Sequence, residues 1–391
     1  MKKKLAIFMA CVMSFGMLGG CSGNSTDTAS KSDSSGDVIK IGVFMPLTGA
    51  NAAGGELEIE GIKLANELYP EVLGKKVELV IVDNKSDKQE AANAVTRLIE
   101  KDKVPAIIGT YGSSLAMAAG NVVKEAKIPT IGTSCTNPQV TLNNPYYFRV
   151  AFIDPFQGKV MAHYAYENLG ARKVALVQEI SNDYSVGLVK FFTEEFKALT
   201  GDENCIVETG NYQTGDTDFS AILTSIKGKN PDAIFAPGNY TESAMLIKQA
   251  RDLGMDVPFM GCDTWEVNEF IEIGASAVEG AVLSTFFSEE YAITKEGEKF
   301  LEEYAKRYPD KPAAALTALG YDAYILMIDA IERAGSTDSD AIRDAIAVTE
   351  NFEGAAGNVT LDENGDAVKD AIIKVVKDGE FRYLDFISFA K

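Results

Sequence analysis

From residue 38 onward, short runs of β-branched and apolar residues alternate with longer stretches whose apolar positions recur every three or four residues. The runs at 38–45, 77–83, 106–109 and 130–132 predict strands, and 58–68, 88–101 and 114–127 predict helices between them. Ser86 followed three residues on by Gln89 predicts a capping box for the second helix. After a link at 147–154 the pattern starts again, with Asp154 as N-cap and Pro155 at the first position of a helix reaching 169. Strands at 174–178, 206–212, 233–236 and 259–261 then alternate with helices at 185–199, 219–226 and 242–253. Near-continuous apolar strands separated by amphipathic helices imply parallel sheets covered on both faces. The last hundred residues predict a returning strand at 281–287 and helices at 296–308, 314–334 and 339–347. There, 360–361 and 372–376 flank a hairpin turn at Asn364-Gly365.

The two halves share a spacing. Gly109 to Gly132 is 23 residues, and so is Gly238 to Gly261. Each glycine ends a strand and opens a polar loop. Ligands of open α/β sheets bind beyond the carboxyl ends of the strands, so two lobes with facing loops would enclose a cleft.

Composition narrows what such a cleft could do. The 391 residues carry a net charge of −20, which argues against a nucleic-acid partner. The single histidine, His163, sits mid-helix between Ala162 and Tyr164, which makes zinc hydrolysis, Ser-His-Asp chemistry and haem ligation improbable. No Gly-x-Ser-x-Gly elbow, Walker A sequence or Gly-x-Gly-x-x-Gly occurs, so the expectation is a binding protein without cofactor or metal, not an enzyme. The acidic turn at 362–366 lacks the ligand spacing of an EF-hand. Beyond Cys21, Cys135, Cys205 and Cys262 form no Cys-x-x-Cys and no even set, and are expected to be structural thiols.

The beginning of the sequence has its own character. Lys2, Lys3 and Lys4 precede an apolar run at 5–18, then Gly19, Gly20 and Cys21. That is the plan of a secretory signal over 1–20, too short to span a bilayer stably. Leu18-Gly19-Gly20-Cys21 resembles the bacterial lipobox, in which the cysteine becomes the lipidated first residue. Residues 22–36 hold six Ser and two Thr and no large apolar side chain, so 21–36 is expected to be a lipidated cysteine and flexible linker.

Ile41-Gly42-Val43-Phe44-Met45-Pro46-Leu47-Thr48-Gly49, the Ile108-Gly109-x-x-x-Ser113-Ser114 turn and Tyr321-Asp322-Ala323, with the lipobox, together resemble one family. It is the extracytoplasmic solute-binding proteins of ABC importers, leucine/isoleucine/valine-binding class, and the likeness covers nearly all of 38–391. It implies a type I periplasmic-binding fold, two doubly wound α/β lobes joined by three crossovers and closing on ligand. Lobe one would be 38–153 plus 283–346, and lobe two 154–282 plus 347–391. The implied partners are a free amino acid, branched-chain or otherwise apolar, and the ABC permease subunits that receive it. A monomer tethered to the bacterial cell membrane by its lipid alone completes the expectation. A short amide, urea or aromatic acid as ligand, and a ligand-sensing role, stay open as alternatives.

The resemblance also assigns residues. Ser113 and Ser114, at the N-terminus of a predicted helix, with Ser134 and Thr136 on a later loop, would hold the α-carboxylate; Ser113 could equally cap its helix. Asp263, with Tyr184 beside it, would take the α-ammonium, although Asp263 could instead cap the stretch beginning near Glu266. Trp265, the only tryptophan, would wall the side-chain pocket or else lie buried as a structural residue. Asn239 and Tyr240 occupy a loop where relatives often carry paired aromatics, and Asn239 departs from that pattern. The loop at 51–55 also lacks the aromatic that many relatives place there, a surface Tyr111 could supply.

Overall fold

A computed structural model describes residues 38–291 and 294–388. The expected signal, lipidated Cys21 and linker lie outside the described residues.

The first sheet contains β1 (Val38–Met45), β2 (Glu71–Val72), β3 (Lys75–Asp83), β4 (Ala106–Ile108), β5 (Thr130–Gly132) and β6 (Tyr147–Arg149), in the order β2-β3-β1-β4-β5-β6. All its pairings are parallel except β2 with β3. Residues Ile41 to Met45 of β1 are all buried, as a central strand covered on both faces requires. The connecting helices are α1 (Ala52–Leu68), α2 (Lys88–Glu100) and α3 (Ser113–Ala126).

The second half repeats the plan with α4 (Asp154–His163), α5 (Asp183–Thr200), α6 (Ser220–Lys229), α7 (Tyr240–Asp252) and α8 (Asn268–Gly274). Its strands β7 (Val174–Glu179), β8 (Ile206–Tyr212), β9 (Ala233–Phe235), β10 (Phe259–Gly261) and β11 (Val282–Thr285) pair in parallel. The chain then returns to the first sheet with α9 (Lys295–Arg307), α10 (Ala315–Ala334) and α11 (Ser339–Ala347). A small antiparallel sheet of β12 (Phe352–Gly354), β13 (Gly357–Leu361) and β14 (Ala367–Val368) follows. Finally β15 (Ala371–Lys377) and β16 (Glu380–Ile387) close the second sheet, in the order β16-β15-β11-β10-β9-β7-β8.

Several expectations change. Asp87, not Ser86, caps α2, accepting from the backbone N–H groups of Gln89 and Glu90. Ser86 instead ties two loops together, accepting from Asn51 N and donating to Thr48 O. Ile153 is the N-cap of α4, so Asp154 and Pro155 lie one step further into the helix, and the Asp154 side chain turns inward and is buried. The turn at Asn364-Gly365 joins β13 to β14 rather than to β15, whose partners are β11 and β16. Strand β11 runs to Thr285 inside the second sheet. The small sheet sits against α10, where Asp322 accepts from Ala355 N and Ala356 N. Leu283, Ser284 and Thr285, expected in lobe one, thus pair within the second sheet.

One close approach sets the depth of the site. A Cβ on Gly320 of α10 would lie 2.1 Å from Glu58 O, and one on Gly61 of α1 would lie 1.9 Å from Thr317 O. Glycine at both contacts lets the two helices touch backbone to backbone, which lodges Glu58 in the interior. Far from the loops, both ring nitrogens of His163 face carboxylates, Glu167 at 2.9 Å and Glu195 at 3.0 Å, joining α4 to α5.

Candidate functional site

At the carboxyl ends of the strands, loops from the two sheets enclose a cavity of about 120 Å³. The first half contributes Asn51, Ser86, Lys88, Tyr111, Ser113, Ser114 and Ser134; the second contributes Glu179, Ser181, Asn182, Tyr184, Thr214, Asn239 and Thr264. Of the expected site residues, Ser113, Ser114, Ser134, Tyr184, Tyr111 and Asn239 line it. Thr136, Asp263, Trp265 and Tyr240 are buried and are not among its lining residues.

The first wall is built from hydroxyls. Gly112 is the N-cap of α3 and makes no side-chain cap, so Ser113 is not the capping residue. Its Oγ accepts from Asn137 N at 3.0 Å, joining the α3 terminus to the loop that carries Ser134 and Thr136. Arg149 holds that loop from beneath, donating to the carbonyls of Cys135 and Asn137 and to Thr141, while pairing with Asp366 at 2.7 Å. Ser134 and Thr133 both donate to Glu58, whose carboxyl burial pushes up to about 8 despite those bonds. A largely protonated Glu58 at neutral pH leaves this wall short of negative charge. Thr136 Oγ1 is buried without a hydrogen-bond partner.

The second wall is acidic. Tyr184 donates to Asp263 Oδ1 at 2.8 Å and Gln157 donates to the same oxygen at 2.7 Å, while Oδ2 is buried and unpartnered. Asp263 is only 1 % exposed, and burial raises its carboxyl to about 6, with Gln157 and Tyr184 opposing the shift. It opens a short 3-10 turn, Asp263–Trp265, without forming a side-chain cap. Asp154 lies close by. Burial lifts it to about 8, the nearby Thr136 hydroxyl and Arg149 temper the rise, and neither of its oxygens has a partner. Glu179 is also buried, but its two oxygens accept from Thr214, Asn239 N and Nδ2, and Asn182.

Ser114 has a different partner from the one expected. Its Oγ donates to Asp183 Oδ2 at 2.8 Å and accepts from Asp183 N at 3.0 Å. Lys88 reaches the same carboxylate at 3.0 Å, and Asn137 Nδ2 donates to the Asp183 carbonyl at 2.9 Å. Three residues of the first half thus converge on one at the start of α5, fastening the walls together. Asp183 loses some hydration there, yet Lys88 and Ser114 hold its carboxyl below the usual range.

Trp265 stacks on Phe270 at 4.8 Å, inside the core of the second half. The expected loop at 51–55 is instead the N-cap and first turn of α1, and Tyr111 lies over its Gly54, where a Cβ would come within 2.5 Å of the ring, so the ring fills the space opened by the missing side chain. Cys135, Cys205 and Cys262 are buried free thiols. Among the described residues no group of His, Cys, Asp or Glu is placed to hold a metal ion, and no helix is long and apolar enough to cross a membrane.

The alphabet of residue types hid Glu58, Asp154, Glu179 and Asp183. Glu58 stands between Leu57 and Ile59 on a predicted helix, a lone acid on an apolar face. Glu179 stands at the carboxyl end of a buried strand. Both positions are signals a reader could have used.

Two doubly wound lobes facing across a polar cleft, with donors on one wall and carboxylates on the other, define a two-lobed solute receptor of the type I periplasmic-binding fold. The chain belongs to the periplasmic binding protein family, whose model matches residues 38–380. Among relatives, the Leu/Ile/Val-binding protein BraC3 of Rhizobium johnstonii is 30% identical over 337 residues, covering 84% of this chain and 88% of that protein. Leu/Ile/Val-binding protein homolog 3 of Brucella melitensis is 29% identical over 334 residues, with the same coverage. Among solved structures, a leucine binding protein LivK from Thermotoga maritima superposes with a TM-score of 0.86 at 44% identity, covering 90% of this chain and 99% of that one. The branched-chain amino acid transporter substrate binding protein LivJ from Streptococcus pneumoniae, in complex with isoleucine, gives 0.82 at 34% identity, covering 89% and 100%.

Proposed function

We propose that the protein is an extracytoplasmic receptor that captures a free α-amino acid by its head-group and hands it to an ABC permease. The observation that carries this reading is the pair of buried, unpartnered atoms on opposite walls: Thr136 Oγ1, a donor, and Asp263 Oδ2, an acceptor. A carboxylate beside Ser113 and Thr136 meets hydroxyls and the positive end of α3, while Ser134 spends its proton on Glu58. An ammonium at Asp263 and Tyr184 supplies the charge that this desolvated carboxylate lacks. An aromatic acid or a neutral amide would leave Asp263 unpaired. Leucine, isoleucine and valine, the ligands in the relatives' names, are the first to try.

Closing the lobes replaces the ligand's hydration with fixed donors and acceptors, and the Asp183 contacts fasten the closed form that a permease would recognise. Cys21 would carry the lipid anchor after removal of the signal, and 22–36 would be the tether. The receptor would act as a monomer and without catalysis. The test is thermal unfolding of the protein, refolded to strip carried ligand, against all twenty amino acids, benzoate, acetamide and urea. A ligand at 1,000 times its Kd stabilises by about 4 kcal/mol, a shift of several degrees. A shift with an amino acid supports the reading; a shift only with benzoate, acetamide or urea removes it.

A further inference from the structure

The cavity's side-chain end differs from its head-group end. Two of its lining residues present polar atoms that are out of solvent and have no hydrogen-bond partner: Asn51 Oδ1 and Tyr111 OH. Tyr111 is 2 % exposed, and its hydroxyl faces the field of carboxyls Asp263, Glu58 and Glu179. An aliphatic side chain placed here would leave both atoms without a hydrogen-bond partner, whereas a polar one could supply it. Neither Asn51 nor Tyr111 is an apolar wall of the kind a leucine needs.

The charged neighbours say which polar group fits. Glu179 already has both oxygens occupied by Thr214, Asn239 and Asn182, so it does not call for a cation. Lys88, the cation on the cavity wall, is paired with Asp183. A side-chain carboxylate would therefore meet the acidic field of Asp263 and Glu179 without a free counter-charge. What remains is an uncharged group that donates a hydrogen bond on a short side chain, since the whole cavity is about 120 Å³.

We infer that this receptor selects amino acids whose short side chain ends in a hydroxyl or carboxamide, which donates to Asn51 Oδ1 and pairs with the Tyr111 hydroxyl. The inference rests on the head-group reading above and departs from the leucine, isoleucine and valine that the names of most relatives share. It makes Asn51 and Tyr111 the specificity-determining residues.

Matched ligands test it. Threonine and valine have the same shape and differ by hydroxyl for methyl; asparagine and leucine differ by carboxamide for isopropyl. Calorimetric titration of the stripped protein should show threonine at least about tenfold tighter than valine, or asparagine at least about tenfold tighter than leucine. In Tyr111→Phe and Asn51→Ala that ratio should fall to within about threefold, with each variant's cooperative thermal transition showing that it is folded. Valine and leucine binding as tightly as their polar partners, or tighter, overturns the inference and leaves the head-group reading standing. Ratios untouched by both variants overturn the assignment to these atoms. If none of the four binds while another of the twenty amino acids does, this inference fails and the head-group reading stands; if none of the twenty binds, both fail.

Discussion

The two walls of the cleft solve opposite electrostatic problems with different materials. The first, built on α1, α3 and the 133–137 loop, has a carboxyl at its centre but keeps it neutral. Glu58 is buried under Thr133 and Ser134 and raised to about 8, so what faces the cleft is hydroxyls and the start of a helix. The second keeps a carboxyl near its ionisation point. Asp263 is just as deeply buried, but Tyr184 and Gln157 both donate to it and it is raised only to about 6. Each carboxyl accepts from two side-chain donors, so the difference lies elsewhere: an aspartate starts from the lower value, and the charge of Asp263 itself raises Glu58. A zwitterionic head-group matches this polarity, its carboxylate towards the neutral wall and its ammonium towards the ionised one.

The most damaging way to break that contrast is to remove the ionised member. Asp263→Ala should weaken amino-acid binding by about 100-fold or more, because truncating one partner of a buried charge pair costs about 2–5 kcal/mol. Titration calorimetry reads this directly, and the fold should survive. Protonation does the same by degrees. With a free-site value of about 6, affinity should fall about tenfold for each unit below 6 as the ammonium must displace a proton, and should weaken again towards pH 8 as Glu58 ionises beside the ligand carboxylate.

Glu58→Gln sharpens the other side. The folded-state value lies above the unfolded one, so the stability it contributes is fully present below about pH 4.5 and is lost as pH rises towards 8. The slope is about 1.4 kcal/mol per pH unit for such a group. Replacing it with a neutral isostere should flatten the fall in Tm between pH 5 and 8 relative to the parent, and Asp154, with its similar value, should keep part of the slope. The smallest effect belongs to the fastening between the walls. Asp183→Ala removes contacts from Lys88 and Ser114, but the Asp183 and Lys88 side chains are each about half exposed. The loss should be about three- to tenfold in affinity, seen as faster release in stopped-flow fluorescence.

Much of the framework was legible in the chain because strands and helices announce themselves by period. Lys88, Thr130, Ile206, Phe259 and Ser339 begin elements where the pattern places them. Of the glycines at equal spacing, Gly132 and Gly261 end strands, Gly109 follows one directly, and Gly238 lies three residues beyond its strand. What the pattern could not carry is partnership. A serine beside a glutamine has the letters of a capping box, but Ser86 is used to join loops and the neighbouring Asp87 caps instead. Ser114 has the letter of a carboxylate donor but spends its hydroxyl on Asp183. Trp265 has the bulk of a pocket wall but lies on Phe270 in the core. Glu58 was missed because a carboxyl's role depends on burial and charge state, which here follow from helix packing at Gly61 and Gly320 and not from local sequence; Asp154 has the letter of a cap but turns inward.

The central claim is that one wall reads the carboxylate and the other the ammonium. The most direct test takes the amino acid that binds best and titrates it beside its decarboxylated amine and its deaminated acid at pH 7.5. The account predicts that the intact amino acid binds and that each truncated analogue loses about 100-fold or more, the amine for want of the Ser113 and Thr136 partners and the acid for leaving Asp263 unpaired. A deaminated acid that binds as tightly as its parent would contradict the account.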